Sequence, residues 1–276
     1  MSVEKKQPGK KKRLARKEKA RREFLRTIGL TAGVIGIAGL GYYPVAKSEV
    51  IRLRPPGALA EDEFLASCIK CGQCVQVCPV EAIKLADIMD GFGIGTPYID
   101  ARPQACDFSC DGLQCVLACP TGSLTHEINY PHETRMGFAR LARPDKCLAM
   151  KGEGFKGYAR GTDFKGVLRY DEIDRWVAQP VSEHKYDLEL CDLCMRQCPI
   201  EIRRLQCEAG KPPSGDKNQC PPKRAIDLIS IDSKTGFAAM KPEVLEGCVG
   251  CGVCEMICPT EPAAIVIEAR ATGVSV

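Results

Sequence analysis

Cys68-x2-Cys71-x2-Cys74-x3-Cys78-Pro79 places four thiols within eleven residues, and Cys248-x2-Cys251-x2-Cys254-x3-Cys258-Pro259 repeats the spacing without change. In such a run three closely spaced thiolates grip one [4Fe–4S] cubane while the fourth reaches a neighbouring cluster. The surroundings recur as well, with Cys71-Gly72-Gln73-Cys74 matched by Cys251-Gly252-Val253-Cys254. Glycine lets the loop backbone wrap closely, and proline turns the chain away after the last thiol.

Two further sets are less regular. Cys106-x3-Cys110-x4-Cys115-x3-Cys119-Pro120 keeps the ending and widens the earlier gaps. Cys191-x2-Cys194-x3-Cys198-Pro199 supplies only the last three members of a run, and Cys147, 44 positions upstream after Pro144-Asp145-Lys146, is the candidate for the first. Loop closure costs little more as a loop lengthens, so the gap is tolerable. If the fourth ligands swap between paired runs as in two-cluster ferredoxins, four clusters follow. The first takes Cys68, Cys71, Cys74 and Cys119, and the second Cys106, Cys110, Cys115 and Cys78. The third takes Cys147, Cys191, Cys194 and Cys258, and the fourth Cys248, Cys251, Cys254 and Cys198. Cys207 and Cys220 remain, bracketing a polar loop. Either they form a disulfide, or Cys220, which also precedes a proline, replaces Cys198.

Other chemistries fit less well. Structural zinc takes four ligands per ion and has no use for this cadence. A disulfide framework belongs to short secreted chains, and this one has 276 residues. No Cys-x-x-Cys-His is present for covalent haem. His126, His132 and His184 lack metal-ligand spacing, and neither a radical-enzyme Cys-x3-Cys-x2-Cys with a barrel nor a Ser/His/Asp or paired-carboxylate arrangement is visible. The pattern implies electron transfer without substrate chemistry.

The elements that position these thiols are short. Glu81–Leu85 and Pro262–Ile267 follow the two regular runs and predict a short helix turning into a strand. Aromatic content is 6% with one tryptophan, Trp176. So thin a core implies that bound clusters contribute folding free energy. The chain is predicted as α+β, with tandem bacterial ferredoxin-like modules of two [4Fe–4S] clusters each. They span 60–135 and 140–270, the second carrying loop-rich insertions at 148–190 and 200–220.

Residues 1–48 form a separate segment. Residues 1–26 hold twelve Lys/Arg against three Glu, whereas 27–276 hold 27 against 32 Asp/Glu, so the basic character sits in the tail. Lys10-Lys11-Lys12-Arg13 precedes a hydrophobic stretch, which favours targeting over nucleic-acid binding. Arg21-Arg22-Glu23-Phe24-Leu25 is followed by uncharged residues 27–46 with five glycines. This looks like a twin-arginine export signal, and as an uncleaved segment it would just reach across a bilayer. Ala46-Lys47-Ser48 and Ala58-Leu59-Ala60 leave cleavage open. Export of an already folded chain suits cysteines that would otherwise meet an oxidising compartment bare.

The twin-arginine start, the four cysteine sets in order, Gly95-Thr96-Pro97-Tyr98 and Cys191-Asp192-Leu193-Cys194 resemble the MauM/NapG family of ferredoxin-type proteins, the NapG side most. The departures are the 148–190 insertion and the loop holding Cys207 and Cys220. The resemblance implies a periplasmic, non-catalytic carrier, tethered to the inner membrane if the N-terminal segment is not cleaved. It would pass electrons from a quinol-oxidising membrane ferredoxin (NapH-like) toward a periplasmic nitrate reductase or its cytochrome. Service to another exported molybdenum enzyme, or to methylamine oxidation, is the alternative.

Overall fold

The structure, a computed structural model, describes residues 10–46, 51–91, 93–110, 112–168, 179–231 and 239–270. The N-terminal part is one α-helix, Lys10–Ala46. Its described side chains, 17–40, are all exposed, including Phe24 and Leu25. Lys17–Leu40 is long and apolar enough to cross a membrane by length and composition, a test that a signal sequence also passes.

The body, from Ile51 onward apart from residues 88–92, is a separate unit built of short antiparallel pairs. Ile83–Leu85 pairs with Pro97–Ile99, and Leu53 bridges to Ile99. The other half is closed by Gly137–Leu141 against Ile265–Ala269, strands more than 120 residues apart in sequence. Gly137 is required there, because a Cβ would strike the Glu268 carbonyl. Ile226–Ile231 pairs with Ala239–Val244. The 148–190 segment contributes two small pairs, Phe155–Tyr158 with Lys185–Leu188 and Val167–Leu168 with Gln179–Pro180. Trp176 lies outside the described residues.

One local unit occurs four times. The short helices Gln73–Gln76, Gln114–Leu117, Leu193–Arg196 and Val253–Ile257 each carry one thiol: Cys74, Cys115, Cys194 and Cys254. Gly72 (φ 74°) and Gly252 (φ 92°) open two of them from the left-handed region, which glycine enters without strain. Leu113 adopts the same region (φ 48°) before Gln114–Leu117. A leucine held there costs about 1 kcal/mol or more, which its full burial in the core offsets.

The short helices predicted after Cys78-Pro79 and Cys258-Pro259 are absent, although the strands are present. The chain folds around the sulfur instead. Cys78 Sγ accepts the Ala82 N–H at 3.3 Å, and Cys258 Sγ accepts the Ala264 N–H at 3.3 Å. Only Cys198-Pro199 leads into a helix, Pro199–Glu208.

The core has two parts. One gathers Phe64, Leu113, Val116, Leu124, Val249, Val253, Met256 and Ile257. The other is centred on Ala139, Ile226, Ala263, Ala264 and Ile265. Cysteines are interleaved with the aliphatic residues in both, so the thiols belong to the packing itself.

Candidate iron–sulfur centres

Three of the thiol sets gather around a space rather than a point. Cys68, directly after helix Glu61–Ser67, joins Cys71, Cys74 and Cys119 around a cavity walled by Phe64, Pro97 and Leu124. Cys78, Cys106, Cys110 and Cys115 surround a second, against Phe108 and Leu113. Cys198, Cys248, Cys251 and Cys254 surround another, with Ile200, Ile226 and Val249. Counting their open mouths, the three have empty volumes of about 350, 320 and 360 Å³, similar enough to suit one kind of occupant.

The remaining set is assembled across the insertion. Cys147 caps the short helix Leu148–Lys151. The Cys191 N–H then donates to the Glu153 carbonyl at 3.1 Å, bringing the two ends of the 148–190 segment together. After burial, the Cys147 and Cys258 thiols are among the charges that raise both Cys191 and Cys194. Twelve of the sixteen cysteines thus line three cavities, four to each, and Cys194 also reaches the one lined by Cys198, Cys248, Cys251 and Cys254.

Cys207 and Cys220 form a disulfide, with Cα atoms 5.9 Å apart, so Cys220 is not available to replace Cys198. The bridge ties the end of helix Pro199–Glu208 to the loop that follows it. Glu201, 2% exposed, anchors the same helix by accepting the N–H groups of Ala225 at 2.6 Å and Ile226 at 3.3 Å.

Packing thiols this closely makes deprotonation costly. Burial pushes Cys74 up to about 11, with the neighbouring Cys68 and Cys71 adding to it. Burial likewise raises Cys191 and Cys198 to about 12. Cys106, Cys194, Cys251 and Cys254 are held well above the usual thiol range by burial and then chiefly by adjacent thiols. Such sets ligate only if a cationic group takes the place of the protons.

Cys119 is prepared differently. At Cys119, burial alone would raise the pKa. The backbone N–H groups of Leu124, Thr121 and Gly122, with the Thr121 hydroxyl, outweigh it and bring the thiol below its ordinary value. Thr260 Oγ1 lies 3.3 Å from Cys258 Sγ in the equivalent position. The repeated Cys-Pro-Thr at 119–121 and 258–260 was the sequence signal for these hydroxyls.

Among the described residues no three His, Cys, Asp or Glu side chains converge on the position of a single ion. Four thiols spread around a cavity suit a multi-atom cubane better than tetrahedral zinc. The residues thus fit [4Fe–4S] clusters by donor type, number and enclosure. Arg21, Arg22, Phe24 and Leu25 are all exposed on helix Lys10–Ala46, part of the separate N-terminal unit.

Comparison with known proteins agrees with this chemistry. A 4Fe-4S dicluster domain matches residues 67–123, covering the first two sets, and a 4Fe-4S binding domain matches 245–261, covering Cys248 to Cys258. "Ferredoxin-type protein NapG" of Escherichia coli (strain K12) is 32% identical over 256 residues, 92% of this chain and 87% of that protein. "Methylamine utilization ferredoxin-type protein MauM" of Methylorubrum extorquens is 31% identical over 261 residues, 93% of this chain and 92% of that protein. NapG of Haemophilus influenzae is 32% identical over 252 residues, 90% of this chain and 71% of its own length. No solved structure matches.

Proposed function

The chain belongs to the MauM/NapG family of ferredoxin-type proteins, and we propose that it is a non-catalytic electron-transfer subunit holding four [4Fe–4S] clusters. The observation that supports this reading is the gathering of twelve thiols, four to each, around three cavities of similar size. The proposed organisation is two tandem modules, 60–135 and 140–270, each with two thiol sets. Each cluster, when bound, would accept and return a single electron, at a potential tuned by hydrogen bonds to sulfur, local charge and exposure.

The chain's own residues account for the rest. Cys68, Cys71, Cys74 and Cys119 would hold the first cluster, and Cys78, Cys106, Cys110 and Cys115 the second. Cys147, Cys191, Cys194 and Cys258 would hold the third, and Cys198, Cys248, Cys251 and Cys254 the fourth. Ala82, Leu124 and Ala264 donate N–H groups to the pre-proline sulfurs at 3.3, 3.5 and 3.3 Å. Such donors stabilise extra negative charge on a ligand sulfur. Phe64, Leu113 and Val249 are buried against the cavities and keep water away from the thiols.

Arg21-Arg22 ahead of an exposed apolar helix supports twin-arginine export to the periplasm, with the helix either cleaved or kept as a tether. Electrons would come from a quinol-oxidising membrane ferredoxin (NapH-like) and go toward a periplasmic nitrate reductase or its cytochrome. The net negative charge of residues 27–276 suits a basic docking face on such a partner. The similarity to MauM proteins favours methylamine oxidation as the second reading.

To decide, dithionite-reduced protein is mixed anaerobically with a nitrate reductase and its cytochrome, or with the oxidised carrier of a methylamine dehydrogenase. Rapid, nitrate-dependent return of the iron–sulfur absorbance in the first mixture supports the nitrate reading. Reoxidation only in the second would replace it.

A further inference from the structure

Taking the four clusters proposed above as given, we infer that the thiol sets form a row in the order one, two, four, three, and that the halves meet electronically where the Cys106 N–H donates to the Cys251 carbonyl. That bond, 3.2 Å long, joins a ligand residue of set two directly to a ligand residue of set four. Chain order would instead put set three next to set two.

The junction is tightly packed. Gly252, the residue after Cys251, lies against Ala101, so that a Cβ on it would fall 2.5 Å from the Ala101 Cβ and 3.4 Å from that of Ala105. Only a glycine facing alanines allows so close an approach. The Ala105 N–H points at Met256 Sδ at 3.2 Å. Arg102 then clamps the far side, donating to the carbonyls of Glu255, Cys258 and Thr260 at 2.5, 2.9 and 2.7 Å.

The other neighbours in the row are also settled by packing. Helices Gln73–Gln76 and Gln114–Leu117, bearing Cys74 and Cys115, pack together and join sets one and two. Helices Leu193–Arg196 and Val253–Ile257 pack together, and Cys194 of set three helps line the set-four cavity. Between sets two and three lies an open groove, with Cys110 on one side and Asp192 and Met195 on the other. An electron leaving set two therefore meets covalent and hydrogen-bonded protein toward set four, and open groove toward set three.

Arg102 and Gly252 are positioning residues in this scheme, since neither bears a ligand atom. The test uses full-length, cluster-loaded protein of verified iron content and reads magnetic coupling rather than turnover. In the fully reduced protein, the electron-spin resonance of the set-two centre should be broadened by a neighbour in the second half. Emptying set four with Cys248→Ala should remove that broadening, and emptying set three with Cys147→Ala should leave it. The reverse pattern would overturn the order.

Arg102→Gln keeps all sixteen thiols and provides a second arm. It should weaken the coupling between sets two and four at unchanged iron content, and parental coupling in it would also refute the inference. A parent with fewer than sixteen irons would count against the four-cluster reading and leave the row order to the coupling among the clusters present.

Discussion

Replacing Glu201 by alanine should loosen the seat of Cys198 without touching a thiol. Glu201 Oε1 accepts two buried N–H groups, from Ala225 and Ile226, and its other oxygen takes Arg204 Nε at 2.8 Å. A hydrogen bond to a charged group contributes about 1.5–3 kcal/mol, and an N–H left unpaired in the interior costs about 1–3 kcal/mol. Arg204 stays partly solvated at 20% exposure, so little is added for its lost partner. A loss of about 3 kcal/mol follows, which for a body of this size lowers the melting temperature by about 6–12 °C. Glu201→Gln retains an acceptor and should fall between parent and alanine. Glu246→Gln, which breaks an exposed pair with Lys223, should leave the melting temperature unchanged. The assay is bleaching of the iron–sulfur absorbance in anaerobic thermal scans at one fixed rate, because unfolding with cluster loss is irreversible. A Glu201→Ala protein melting within 2 °C of the parent would refute the anchoring role.

Three other outcomes follow from the same structure. Replacing Cys207 and Cys220 together by serine should keep the full iron content while costing about 3 kcal/mol through release of a 13-residue loop; loss of about four irons would make one of them a ligand. Gly250→Ala should sharply reduce folded yield and set-four iron, because the new Cβ would strike the Gly137 backbone. Gly122→Ala, at a similar φ of 71° but with open space around it, should cost only about 1 kcal/mol by the same melting assay. Arg21→Lys with Arg22→Lys should hold the protein in the cytoplasm, as fractionation would show, and normal export would remove the twin-arginine reading.

Much of the site was legible because thiol spacing is a covalent fact. Cys68 to Cys78 and Cys248 to Cys258 announce a repeated local unit, and the chain repeats the same glycine-led short helix in both. The pairing of Cys147 with Cys191 was less visible, since it depends on a hydrogen bond from Cys191 to Glu153 across the insertion. The helices expected after Cys78 and Cys258 were misplaced because an N–H donated to sulfur competes with helix formation there, a contest that propensity does not register. The disulfide could not be chosen over a ligand role from spacing alone, since both readings place Cys220 beside a proline-bounded loop. Least legible was the meeting of Gly252 with Ala101, where two small residues over 150 positions apart acquire meaning only once they touch.

The central claim is the number and kind of the metal centres. Iron and acid-labile sulfide should be measured on anaerobically purified full-length protein, alongside zinc. The account predicts about sixteen iron and sixteen sulfide per chain, four of each for every thiol quartet. Zinc in place of iron, or fewer than twelve irons in protein shown to be folded, would contradict it.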